Sequence, residues 1–193
     1  MYKYTFLLLC FFIGLLIGCQ ASYSPPPQSV IPAPSTAIRP APPASVKVED
    51  SKFENAVTFN GIEGRHVGNQ FNRYFLRSFM NKNSGQVAHQ LYVSDHYDGY
   101  WEYWSRANSE DAQSLEFVSI SRDVVYCGSG YAGCSLSEVF GAFIPDTDLR
   151  THQDGYSVKF YAKSGKQMLI RLTSEQIRQQ LKAIDDFQVT KKN

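Results

Sequence analysis

The chain has 193 residues, 43% of them hydrophobic and 19% charged, with a formal net charge of +1. That length provides one ordinary domain with a real core once terminal segments are set aside. Near neutrality, without a lysine–arginine run, excludes the broad electrostatic footprint that nucleic acid or an anionic membrane surface would require.

The first element is apolar. Met1 to Tyr4 carry a single charge, Lys3, and Phe6 to Ile17 then read FLLLCFFIGLLI. A spanning helix needs about 20 apolar residues, so this run is too short and matches the h-region of a secretory signal instead. It ends in Leu16-Ile17-Gly18-Cys19, and here the chain resembles a bacterial lipoprotein precursor. The resemblance implies a signal peptide over 1–18, cleavage before Cys19, and acyl chains on the sulfur and new amino group of Cys19. In Gram-negative members of that class, Gln20 in place of Asp implies the outer membrane, here with the protein facing the periplasm. Each buried methylene contributes about 0.8 kcal/mol, so a multiply acylated Cys19 is a near-permanent anchor in membrane lipid.

Residues 19–46 follow as a tether. Eight of the nine prolines lie between Pro25 and Pro43, with Arg39 the single charge of the segment. Proline removes backbone donors and favours extended polyproline geometry, so no packed core forms. At about 3.1 Å per residue, the tether reaches up to about 80 Å.

Residues 47–193 form the predicted domain, which holds every acidic residue and every basic one except Lys3 and Arg39. Gln70 to Met80 and Gln86 to Tyr97 read as strands joined by Asn81-Lys-Asn-Ser-Gly85. Tyr97-Asp98-Gly99-Tyr100 then carries the strongest short-range signal for a two-residue hairpin turn. Trp101 to Arg106, Ser114 to Ser121 and Cys134 to Ile144 are further strands, and Pro145 to Arg150 a short helical turn. Tyr156 to Lys163 pairs with Lys166 to Leu172 across Ser164-Gly165. Thr173-Ser-Glu-Gln176 fits a capping box, and Ile177, Leu181 and Ile184 make one apolar stripe on a helix. The predicted architecture is α+β: a mostly antiparallel sheet with a C-terminal amphipathic helix packed on it.

Sulfur decides the meaning of CGSGYAGC. Gly128-Ser-Gly130-Tyr-Ala-Gly133 fits the G-x-G-x-x-G pattern, but Cys134 to Ile144 alternates like a strand where a dinucleotide loop needs a helix. Cys10 leaves with the signal and Cys19 takes lipid, so Cys127 and Cys134 are an even pair in an oxidising compartment, where a disulfide is the default. The segment reads as a stapled turn, with about 2.5 kcal/mol gained from closing so short a loop.

Chemistry-bearing residues concentrate in the aromatic and acidic segment 92–106. A two-residue turn would place Asp95 opposite Glu102, with Tyr97, Tyr100 and Trp104 around them. Paired carboxylates are what a retaining glycosidase uses, and aromatics are what sugars stack on. The plainer reading is a solvent face with the acids fanned apart. Ser94, Asp95 and His96 are successive strand residues facing alternate sides, so they do not assemble a triad. His89 shares a face with Leu91 and Val93, as a hydrogen-bonded core histidine would. His66, His89, His96 and His152 lack zinc-site spacing. No catalytic residue, metal or cofactor is assigned.

The whole layout is similar to the small, uncharacterised lipoproteins of Gram-negative envelopes, through HQLYVSDHYDGYWEYW and YAGCSLSEVFGAFI. That set has no assigned activity, so the resemblance implies fold and place but no mechanism. The leading expectation is a non-enzymatic binding or accessory module for another envelope protein, acting through an exposed sheet edge or the aromatic hairpin. The alternative is a cell-wall glycan binder or hydrolase using Asp95, Glu102 and their aromatic neighbours.

Overall fold

The computed structural model describes residues 45–128 and 133–192, so the signal, Cys19 and nearly all of the tether lie outside the described residues, as does the middle of the 127–134 loop. Alternation builds the centre of the domain. In β3 (Arg73–Asn81), Leu76, Ser78 and Met80 are buried on one face, while Phe75, Arg77 and Phe79 take the other. β4 (Val87–Gly99) pairs with it antiparallel, Leu76 opposite Leu91 and Tyr74 opposite Val93. On the outer face Phe75 stacks on Tyr92 at 4.7 Å, and the Arg77 guanidinium lies 4.8 Å from the same ring.

The remaining elements are β1 (Lys47–Glu49), β2 (Ala56–Asn60), β5 (Trp104–Ser109), β6 (Ser114–Leu115), β7 (Phe117–Cys127), β8 (Cys134–Ile144), α1 (Asp146–Thr151), β9 (Gly155–Ala162), β10 (Gln167–Thr173) and α2 (Ser174–Lys192). They form a six-stranded sheet in the order β1-β2-β3-β4-β8-β7 and a four-stranded sheet in the order β10-β9-β5-β6, with every pairing antiparallel. The α+β expectation therefore holds, with two sheets in place of one. No helix of the described residues is long and apolar enough to cross a membrane.

The two sheets share one core. Trp104 of the smaller sheet stacks on Phe140 of the larger at 5.2 Å, and Phe140 meets Phe160 edge-on at 5.0 Å. The inner face of β2 and β3 is covered by α2, whose Ile177 and Leu181 join the main core while Ile184 packs with Val57, Phe59 and Met80. The capping box forms as expected: the Thr173 N–H donates to Gln176 Oε1 at 3.0 Å, and the Gln176 N–H to Thr173 Oγ1 at 3.3 Å. Gln176 Nε2 also donates to the Ile62 carbonyl at 2.9 Å, tying the helix start to the chain between β2 and β3.

The expected tight turn at Asp98-Gly99 is not formed. β4 runs on through Gly99, paired with β8 so that Gly99 faces Cys134. With β3 on one side and β8 on the other, no place remains beside β4 for 101–106. The chain uses positive φ at Gly99 (116°) and Tyr103 (56°) to leave the larger sheet and enter the smaller at Trp104. The hairpin with Asp95 opposite Glu102 is therefore replaced by a crossover between sheets. Cys127 and Cys134 are disulfide-bonded and close the β7–β8 hairpin. Cys134 opens a strand, as the stapled-turn reading requires and a dinucleotide loop does not allow.

Candidate functional site

The pairing of β4 with β8 places Asp95 directly opposite Glu138. Opposed carboxylates are unfavourable unless something compensates. The two acids are treated very differently. Glu138, 2% exposed, accepts the backbone N–H groups of Glu102 (3.0 Å), Tyr103 (2.9 Å) and Trp104 (3.3 Å), the Arg122 guanidinium (2.9 Å) and the Tyr97 hydroxyl. Burial alone would raise its pKa, but the bonds from Tyr97, Arg122 and the Tyr103 N–H outweigh it and hold the group below the usual carboxylate range. Its place in the fold is clear: it gathers the orphan N–H groups of the crossover and fixes where the chain changes sheets.

Asp95 is equally buried at 3% exposed but poorly served. Among the described residues one hydrogen bond reaches its carboxylate, from Trp104 Nε1 to Oδ2 at 3.1 Å. Burial pushes its pKa up, and the charges of His66 and Lys166 with the Trp104 bond only partly offset this. The other expected site residues are brought near in different roles. Glu102 pairs with Lys166 Nζ at 3.2 Å and accepts the Ser164 hydroxyl. Tyr97 is held between Glu138 and the Glu102 N–H, with Lys166 Nζ 5.1 Å from its ring. Trp104 belongs to the core, and Tyr100 is 93% exposed.

Asp95 and Tyr97 lie on the wall of a cleft of about 560 Å³, bounded by the 66–72 segment, the C-terminal half of β4, and Lys166 to Leu169 at the start of β10. β10 is an edge strand. The Lys166 carbonyl accepts the Ala162 N–H from β9, whereas the Arg171 carbonyl accepts the Tyr74 hydroxyl and the Thr173 N–H goes to Gln176. In an antiparallel strand the backbone groups of alternate residues turn to opposite sides, so Gln167 and Leu169, in phase with Arg171 and Thr173, turn theirs away from β9. Among the described residues nothing pairs with those groups, and Leu169 is 66% exposed beside them.

A serine–histidine–aspartate chain also exists, away from the cleft. Gln180 Nε2 donates to Ser78 Oγ (2.8 Å), which contacts His89 Nδ1 (2.8 Å), and His89 Nε2 meets Asp146 Oδ1 (2.9 Å). Ser78 is 0% exposed, so no substrate reaches it. Burial pushes the His89 pKa down, keeping the ring neutral, and the chain pins β3, β4, α1 and α2 together. His89 is thus a hydrogen-bonded core histidine.

Glu138, Arg122, His66 and Lys166 were not among the expected site residues. Glu138 alone had a signal, an acid at the same strand parity as Leu136 and Phe140. The other three reach the site through tertiary placement. Comparison with family models, curated proteins and solved structures finds no match.

Proposed function

We propose that this is a membrane-anchored envelope lipoprotein whose domain, residues 47–193, is a non-enzymatic binding module for another envelope protein. Acyl chains on Cys19 hold it in the outer membrane on the periplasmic side, and residues 19–46 set its reach. The observation that carries the binding half is the free edge of β10, unbulged along its pairing with β9 and opening on the Asp95 cleft. An extended segment added there satisfies the outward groups of Gln167 and Leu169 and buries Leu169. The other long edge, β7, exposes Val124, Val125 and Tyr126 but carries two bulges, and bulges blunt an edge against pairing.

A cell-wall hydrolase has less support. It needs a second free carboxylate near Asp95, and Glu138 is saturated with donors while Glu102 is held by Lys166 and Ser164.

The test is co-purification from native membranes in mild detergent at normal expression, with Cys19→Ala and Leu169→Pro as variants. The Leu169 N–H faces away from β9, so proline blocks the edge without removing a ladder bond. A stoichiometric partner, weakened by both changes, is the expected result. An anchored wild-type protein that emerges alone would overturn the reading and make binding to purified cell-wall fragments the next assay.

A further inference from the structure

Two buried acids on facing strands make an internal comparison. Glu138 has an arginine and three backbone donors; Asp95, its cross-strand neighbour, has one neutral donor. Buried charges are ordinarily paired and hydrogen-bonded, and leaving one short costs stability. No hydrogen bond among the described residues reaches Asp95 Oδ1, and Asp95 faces the cleft beside the free edge of β10.

The charged groups around the cleft indicate what is missing. Lys166 is neutralised by Glu102 at 3.2 Å, and Asp98 adds a second negative charge on the wall. His66 is engaged through Nε2 with the Ser94 carbonyl at 3.2 Å. The surplus is negative, from buried Asp95 and exposed Asp98, in a cleft whose lining also includes Val67, Met168 and Leu169. A group that completes this site is a cation on an apolar stem, and an extended strand beside β10 is a natural way to deliver one.

We propose that the cleft seats a lysine or arginine side chain of the partner against Asp95, carried by an extended segment that pairs with Gln167 and Leu169. This rests on the binding reading above and adds the chemistry of its anchor residue. The segment's backbone gives attachment; the charged side chain gives selectivity, because a neutral or acidic residue leaves Asp95 buried and short of a counter-ion.

The test uses the mature, acylated chain in detergent micelles and a blocked peptide of sequence Val-Thr-Lys-Thr-Val, with norleucine and glutamate versions replacing the lysine. The lysine peptide should bind at least about tenfold more tightly than the norleucine one, the worth of one charge-assisted hydrogen bond, and the glutamate version more weakly still. Asp95→Asn should erase the difference between lysine and norleucine, and Leu169→Pro should abolish binding of all three. Equal binding of lysine and norleucine to the wild-type protein overturns the proposal. So does capture of purified glycan fragments, but not the peptides, in a manner that needs Asp95. In the co-purification, a partner lost in Leu169→Pro but kept at full level in Asp95→Asn overturns the cation seat and leaves the binding reading standing. A partner indifferent to both changes overturns both.

Discussion

Asp95 and Glu138 differ in what surrounds them, and the difference is measurable in stability. Removing Glu138 strands the Tyr103 and Trp104 N–H groups of the crossover, leaves the Glu102 N–H with the Tyr97 hydroxyl alone, and takes away the acceptor of Arg122. Breaking a buried, hydrogen-bonded charge pair costs about 3–5 kcal/mol, so Glu138→Ala should lower the denaturation midpoint accordingly. Arg122→Ala should cost less, because that side chain is 36% exposed and the backbone donors to Glu138 remain. Asp95 should behave in the opposite sense. Its folded pKa is raised by burial, so the fold prefers the protonated acid, and above that pKa the ionised group is a burden. Asp95→Asn, which can still accept from Trp104 Nε1, should raise the melting temperature at neutral pH. The advantage should shrink as pH falls through the folded pKa and the wild-type acid becomes neutral. A melting temperature for Asp95→Asn below that of the wild type at neutral pH would mean that the carboxylate stabilises the fold.

At the scale of elements, α2 offers the cleanest test of a local signal. Both hydrogen bonds of the Thr173–Gln176 box are present, so Thr173→Ala should cost about 1 kcal/mol in thermal or urea unfolding. This helix, β3, β4, β8, β9, β10 and the short α1 were legible in the sequence, because each rests on periodicity, capping or turn residues within a few positions. The crossover at 100–103 was not. Asp98-Gly99 is a strong local hairpin signal, and it lost to a pairing that sequence proximity does not announce: β8, from far along the chain, occupies the flank of β4 that the hairpin would have used. The candidate site inherits that error. Asp95, Tyr97 and Trp104 do lie close together, though not through the expected hairpin; Glu102 stands with Lys166, and the cross-strand neighbour of Asp95 is Glu138. β1 and β2 escaped notice because they are short, at 3 and 5 residues; β2 draws its stability from β3 and the helix above it, and β1 pairs with β2 through three exposed residues.

For the whole molecule, the arrangement of its cores decides how it unfolds. The smaller sheet contains a two-residue strand and has an apolar face covered by the larger sheet together with residues of α1 and α2, so it has little claim to independent stability. The larger sheet is no more self-sufficient, since its inner face is divided between the smaller sheet and α2. Residues from β3, β4, β8, β5, β9, β10 and α2 meet in one cluster, with Trp104, Phe140, Phe160, Ile177 and Leu181 among its members. Loss of either covering layer exposes the surface that holds the other, and coupling of this kind produces a single transition. In a Trp101→Phe background, thermal melts followed by indole fluorescence, which then reports Trp104 at the contact between the sheets, should coincide with melts followed by far-ultraviolet ellipticity. Leu181→Ala should move both curves together, by an amount corresponding to about 2–5 kcal/mol for a truncated core leucine. An ellipticity change that follows the loss of the Trp104 signal by a clear interval would mean that the larger sheet and its helix stand without the smaller one. In that event the β10 edge and its cleft would open separately from the rest of the domain.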